Sequence, residues 1–209
     1  MNYTNIDWNL IFDMLKSISI IIASGVAIWG INSWRREARW KKKYELAEDV
    51  LANLYESQQT IKFLRFPAGF QDEGNSRKIG KNETPEQTKI YNQAYAVRER
   101  FEIHSEALKK LQTLKYRFIA LFGKEYEEHF NLFSKTVNKI FFAADQIAHV
   151  NLGDYGDEKE FNMEIIRESN RTLYSLSSKN HEDEIEKEIQ NAVNEIEKVC
   201  RNVIGKIKK

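Results

Sequence analysis

The stretch Ser17 to Trp34, SISIIIASGVAIWGINSW, carries no charge, and the nine residues after it, RREARWKKK from Arg35 to Lys43, carry six positive charges against the single negative Glu37. Eighteen residues rising about 1.5 Å each give roughly 27 Å of helix, close to the ~30 Å hydrocarbon core of a bilayer. Trp8 lies toward one end of the run and Trp29 and Trp34 toward the other, where amphipathic rings settle at headgroup depth. Upstream, Asp7 and Asp13 face only Lys16 and the amino terminus. The positive flank is retained in the cytosol, so the chain is expected to run with its N-terminus outside and its C-terminus inside. A cleaved signal would place its basic region before the apolar run rather than after it. A buried core helix of a soluble protein is the stronger rival, because Ser17, Ser19, Ser24 and Asn32 dilute the apolar run.

Residues 1–34 are therefore read as an outer segment and transmembrane helix, and residues 35–209 as one cytosolic domain large enough for its own core. One cysteine, Cys200, excludes an internal disulfide framework and a cysteine metal cluster. A net charge of +1 argues against broad coating of nucleic acid.

The cytosolic part reads as helix throughout. The pattern from Trp8 to Arg65 has no breaker stronger than Gly25 and Gly30, so the apolar helix is expected to continue unbroken, with Trp40, Tyr44, Ala47, Leu51, Leu54 and Ile61 as its cytosolic stripe. A loop at about 66–83, rich in Gly, Asn and charge, interrupts it. Thr84-Pro85-Glu86-Gln87 has capping-box spacing with Pro at the first helical position, and opens a helix running to Gly123. The next helix carries Phe130, Phe133, Val137, Ile140 and Ala144 and breaks at Leu152–Asp157. A shorter helix holds Phe161, Ile165 and Ile166, and a polar turn at Ser177–Asn180 precedes a last helix with Ile185, Ile189, Ala192, Ile196, Val199, Val203 and Ile207. No strand pattern competes. The expected fold is all-α: a helical bundle on an N-terminal transmembrane helix.

Few residues can carry chemistry. The chain has no glycine-rich phosphate loop, no serine elbow and no HExxH or CxxC spacing, and no cofactor or metal is expected. Glu125 with His129, and Asp145 with His149, lie four residues apart and are weak metal pairs. Arg98 to His104, RERFEIH, stands out because His104 falls in line with Phe101 and Leu108, where a half-buried histidine is expected. Arg100, about 40° around the helix from His104, belongs to the same candidate site.

Arginine, a short spacer, then histidine on a bundle helix resembles the motif of the HEPN superfamily, with Arg98 and His104 in the matching positions. The position after the arginine is Glu99, where that family often carries Asn, Asp or His. The resemblance implies that motifs from two protomers face each other, with the histidine handling the 2′-hydroxyl proton of RNA and the arginine stabilising the phosphate. The wider layout of membrane helix, basic run and HEPN-like bundle resembles the small membrane-associated accessory proteins encoded beside RNA-guided effectors of type VI-B CRISPR systems. That resemblance implies an inner-membrane homo-oligomer of bacteria that enhances antiphage defence, with an RNA-guided effector or its RNA as partner.

The membrane helix has features of its own that favour assembly. Ser19, Ala23, Ala27 and Gly30 form a small-residue seam that lets backbones approach closely in lipid. Asn9, Asp13, Lys16, Ser17 and Ser24 form a polar stripe that either snorkels at the interface or lines a water-filled opening. The expected function is an oligomeric effector acting on the bilayer. The alternatives are a membrane-tethered, metal-independent ribonuclease and a non-catalytic scaffold or sensor.

Overall fold

In the computed structural model, residues 8–69, 72–175 and 183–205 are described, with the side chains of Trp8 and Leu10 excepted. They form helices α1 (Trp8–Leu64), α2 (Pro85–His104), α3 (Glu106–Phe122), α4 (Glu127–Leu152), α5 (Lys159–Leu173) and α6 (Glu184–Ile204), with a 3-10 turn at Lys124–Tyr126. No strand occurs among the described residues, so the all-α expectation holds. The turn expected at Ser177–Asn180 and the end of the last stripe at Ile207 lie outside the described residues.

The chain divides into two compact units, Met1–Glu45 and Leu46–Lys209. In the first, the described chain is the first part of helix α1, with large apolar side chains on every side between Ile18 and Trp34. The nine large apolar side chains from Ile18 to Trp34 are each more than half exposed, so this is not the buried core helix of a soluble protein. By length and composition α1 is able to cross a membrane.

The second unit has an ordinary core. From Leu46 onward α1 buries Leu46, Ala47, Val50, Leu51, Leu54, Ile61 and Leu64, while Trp40 of the expected stripe is exposed and Tyr44 half-buried. The helix α4 packs against α2, α3, α5 and α6. Its Phe130, Phe133 and Ile140 are fully buried with Leu111 and Phe118 of α3 and Ile189, Val193 and Ile196 of α6. The Phe118 ring meets Phe122, Phe130 and Tyr126 at centroid distances of 4.6, 5.1 and 5.7 Å, in the range where tilted aromatic pairs are favourable.

Local signals set several boundaries. The Gln87 backbone N–H donates to Thr84 Oγ1 at 3.2 Å and the Thr84 N–H to the Gln87 side chain at 3.0 Å, completing the capping box. Gly153, with φ of 80°, ends α4 in the left-handed conformation, its N–H donating to the Val150 carbonyl at 3.0 Å. Between α1 and α2, Gly74 (φ 84°) lies so close to α2 that an added Cβ would stand 1.9 Å from the Asn92 carbonyl oxygen. Only glycine fits there.

The single helix expected from Pro85 to Gly123 is instead two. The break falls at Ser105, which is buried. The Thr60 hydroxyl of α1, which donates to the Glu56 carbonyl at 3.0 Å, also lies 3.2 Å from the His104 carbonyl beside the break. The ladder resumes with the Lys109 N–H donating to the Ser105 carbonyl at 3.0 Å.

Candidate functional site

The polar stripe and the small-residue seam both lie on one continuous α-helix, and all their residues are exposed. Its serines satisfy their own donors: Ser17, Ser19 and Ser24 hydroxyls donate to the carbonyls of Asp13, Leu15 and Ile20 at 2.8–2.9 Å. Bonded back in this way, a serine enters an apolar medium without a stranded O–H. At about 100° per residue, Ser19, Ala23, Ala27 and Gly30 share a sector about 80° wide, and Asn9, Asp13, Lys16, Ser17 and Ser24 one about 100° wide beside it. A Cβ added at Gly30 meets nothing within 4 Å, so the seam is open in the single chain.

The second candidate, Arg98 and His104, separates. Six positions at about 100° each put the two residues roughly 120° apart around α2. Arg98 turns to α4, pairing with Asp145 Oδ2 at 2.5 Å and lying over the Phe141 ring at 4.8 Å. His104 is the last residue of α2 and sets its ring edge-on to Phe63 of α1 at 4.4 Å. It is exposed rather than half-buried, because the break at Ser105 removes it from the apolar stripe it shared with Phe101 and Leu108 in the sequence pattern. The carboxylate of Glu99 accepts the Gly74 backbone N–H and so anchors the loop before α2.

Asp145 and His149 each have another partner. Asp145 is occupied by Arg98, and His149 Nδ1 lies 2.7 Å from Asp154 Oδ2, closing the turn at the end of α4. No group of three metal-ligating side chains occurs among the described residues. Arg98, Asp145 and His149 instead share a depression of about 140 Å³ with Arg77, Tyr91 and Tyr95. Arg77 pairs with Glu83 and holds that carboxyl down at about 2, with the Gly80 N–H adding to the effect.

Two arginines organise the bundle: Arg65, which the sequence pattern did not single out, and Arg100, which it placed beside Arg98 and His104. Arg65, 2 % exposed, donates to Asp183 Oδ1 at 2.8 Å and to the carbonyls of Thr172, Arg171 and Tyr174 at 2.9, 2.9 and 3.1 Å. It thereby satisfies carbonyls left open at the end of α5 and holds Asp183, which caps α6 by accepting the Glu186 N–H. Arg100 grips Glu73 at 2.9 and 2.6 Å and the Phe66 and Ala68 carbonyls at 2.8 and 2.9 Å, latching Phe66, Ala68 and Glu73 onto α2. Arg100 therefore matters as a fastener of the loop. It borders a cavity of about 540 Å³ whose floor is lined by Ala94 and Val97 of α2 and Ala144 and Ala148 of α4. No residue type in the sequence marked that cavity, which exists because small side chains face each other across two helices.

The fold and these sites define an all-helical protein with one N-terminal helix long and apolar enough to cross a bilayer. No family model, no curated protein and no solved structure matches the chain.

Proposed function

We propose that the chain is a single-pass membrane protein that assembles with itself and acts on the bilayer, its helical bundle lying in the cytosol. The observation that carries this reading is the exposure of Ile18, Ile20, Ile21, Ile22, Val26, Ile28, Trp29, Ile31 and Trp34 on all sides of one helix. Full burial of such a side chain is worth about 1.5–3 kcal/mol, so nine of them left in water make a helix that needs another solvent. Lipid supplies it on every side at once.

Self-assembly is supported by the open seam at Ser19, Ala23, Ala27 and Gly30 and by the polar sector beside it. Around a ring of helices, the seam packs against a neighbour while Asn9, Asp13, Lys16, Ser17 and Ser24 turn toward an aqueous path. The biological setting comes from the layout's resemblance to accessory proteins of type VI-B CRISPR systems. In that setting the chain enhances antiphage defence at the bacterial inner membrane by perturbing the bilayer. The ribonuclease alternative gains nothing from the surroundings of Arg98 and His104, one held by a carboxylate and the other on a different face of α2.

The test follows membrane potential with a responsive dye in cells expressing the chain together with its trigger, beside a chain lacking residues 1–34. Loss of potential with the full chain alone is the expected result. Equal growth arrest by the shortened chain would move the activity to the soluble bundle and reduce α1 to an anchor.

A further inference from the structure

The six basic residues after Trp34 are not spread evenly around α1. At about 100° per residue, Lys42, Arg35, Arg39, Lys43 and Arg36 follow one another within a sector about 120° wide. Lys41 stands outside that sector with Glu37 and Glu45, and its Nζ lies 3.9 Å from the Glu45 carboxylate. Trp40 and Tyr44, whose rings meet at 5.3 Å, lie outside this sector, beyond Arg36. Arg35, Arg36, Arg39 and Lys42 are exposed. Arg35, Arg36 and Lys42 make no ion pair among the described residues, and Arg39 spends only its Nε, on the Arg35 carbonyl at 3.3 Å. Arg35, Arg36, Arg39 and Lys42 therefore form a one-sided row of exposed cations.

We infer that this row is a binding site for the phosphate groups of anionic phospholipids on the cytosolic leaflet. The inference rests on the membrane reading above and specifies which lipid the helix meets. Three facts select lipid phosphate as the occupant. From Trp34 to Lys42 the helix rises roughly 12 Å, so all four exposed cations lie within reach of the headgroup layer. Side chains on an α-helix lean toward its N-terminus, which here is the direction of the bilayer, so the row is tilted back onto the headgroups. The centre of the row is also nearly opposite the seam of Ser19, Ala23, Ala27 and Gly30, about 195° around the same helix. Packing on the seam thus turns the cations outward to lipid instead of against a neighbour's like charges. Guanidinium forks match phosphate oxygens in two-point contacts, and three of the four exposed cations are arginines.

Near an anionic leaflet each such side chain is worth roughly a fivefold change in affinity, and screening sets in over about 8 Å at physiological salt. The experiment reconstitutes the full chain into nanodiscs of phosphatidylcholine containing one-fifth phosphatidylglycerol. It then measures by native mass spectrometry which lipids stay with the protein as the disc is stripped. The same is done for the variant R35Q/R36Q/R39Q/K42Q and for the exposed-surface control K78Q/K81Q/K109Q/K110Q. Retention of phosphatidylglycerol over phosphatidylcholine by at least tenfold, lost in the first variant and kept in the control, is the expected result.

Insertion without lipid preference would overturn the inference and leave the membrane reading standing. Failure of the wild type to enter either disc would overturn both. If inorganic phosphate at matching concentration displaces the retained lipid, the row serves a soluble phosphate and the lipid assignment falls. Binding of labelled RNA by the row in preference to phosphatidylglycerol would contradict it too.

Discussion

The two parts of helix α1 differ in what their side chains meet. From Ile18 to Trp34 its apolar side chains are exposed all round, whereas from Leu46 to Leu64 they are buried along one side and polar residues such as Glu48 and Glu56 occupy the other. Backbone geometry does not differ between the parts; the distribution of charge around the helix does. An apolar stripe with a polar back is satisfied by other helices of the same chain. A segment apolar on every face has no such solution in water and calls for lipid. Helix formation in α1 is therefore uninformative about function, and the width of the apolar surface is what separates anchor from bundle.

The sharpest way to break that comparison is to place the same charge in both parts. Leu54 is fully buried, and Leu54→Arg strands a charge in the core at a cost of several kcal/mol, comparable with the whole stability of a domain of this size. Loss of the cooperative thermal transition is expected. Ile22→Arg, at an exposed position in the apolar run, should leave the melting of the bundle unchanged while costing about 2.5–3.5 kcal/mol of insertion. Membrane fractionation alongside circular dichroism reads both effects; a shared outcome for the two variants would remove the distinction.

A second, smaller effect probes how the bundle is fastened. Arg65→Ala leaves Asp183 buried without its partner and frees three carbonyls at the end of α5. Breaking a buried pair in this way costs about 3–5 kcal/mol, read as a lower midpoint in urea. An unchanged midpoint would show that the ends of α1, α5 and α6 are held by packing alone.

These two sites also mark where sequence reading reached and where it stopped. The capping box at Thr84 and Gln87, the ends at Gly123 and Gly153 and the length of α1 were legible because each is decided within a few residues. The split at Ser105 was not, since no glycine or proline marks it and the contact beside it, from Thr60 to the His104 carbonyl, comes from forty-four positions away. The same limit hid the roles of Arg65 and Arg100, whose partners come from other elements and which resemble any solvated arginine in a charged helix. For the Arg98 and His104 site, the motif resemblance paired two residues that six helical positions set roughly 120° apart, and the fold sends the arginine to Asp145 and the histidine to Phe63.

The smallest effect lies in the loop before α2. Arg77 lowers the Glu83 carboxyl from its ordinary value of 4.5 to about 2. A carboxyl lowered on folding contributes stability that is fully present above its unfolded value and is lost as pH falls through the folded one. The order of the Gly80–Glu83 turn should therefore be complete above about pH 4.5 and fade between about 4.5 and about 2. Carbon-detected NMR titration of Glu83 reads this, and Arg77→Gln should return the midpoint toward the ordinary value. A midpoint already ordinary in the wild type would remove the Arg77 pair from the account.

The central claim is that the uncharged run crosses a bilayer with the basic flank inside, and the placement of the two chain ends tests it most directly. The measurement fuses a compartment-sensitive reporter before Met1 in one protein and after Lys209 in another, expressed in a bacterium, with membranes washed at high pH before assay. The account predicts a chain extracted only by detergent, its N-terminal reporter active in the periplasm and its C-terminal reporter active in the cytosol. A chain recovered whole in the soluble fraction, or a C-terminal reporter active outside, would contradict it.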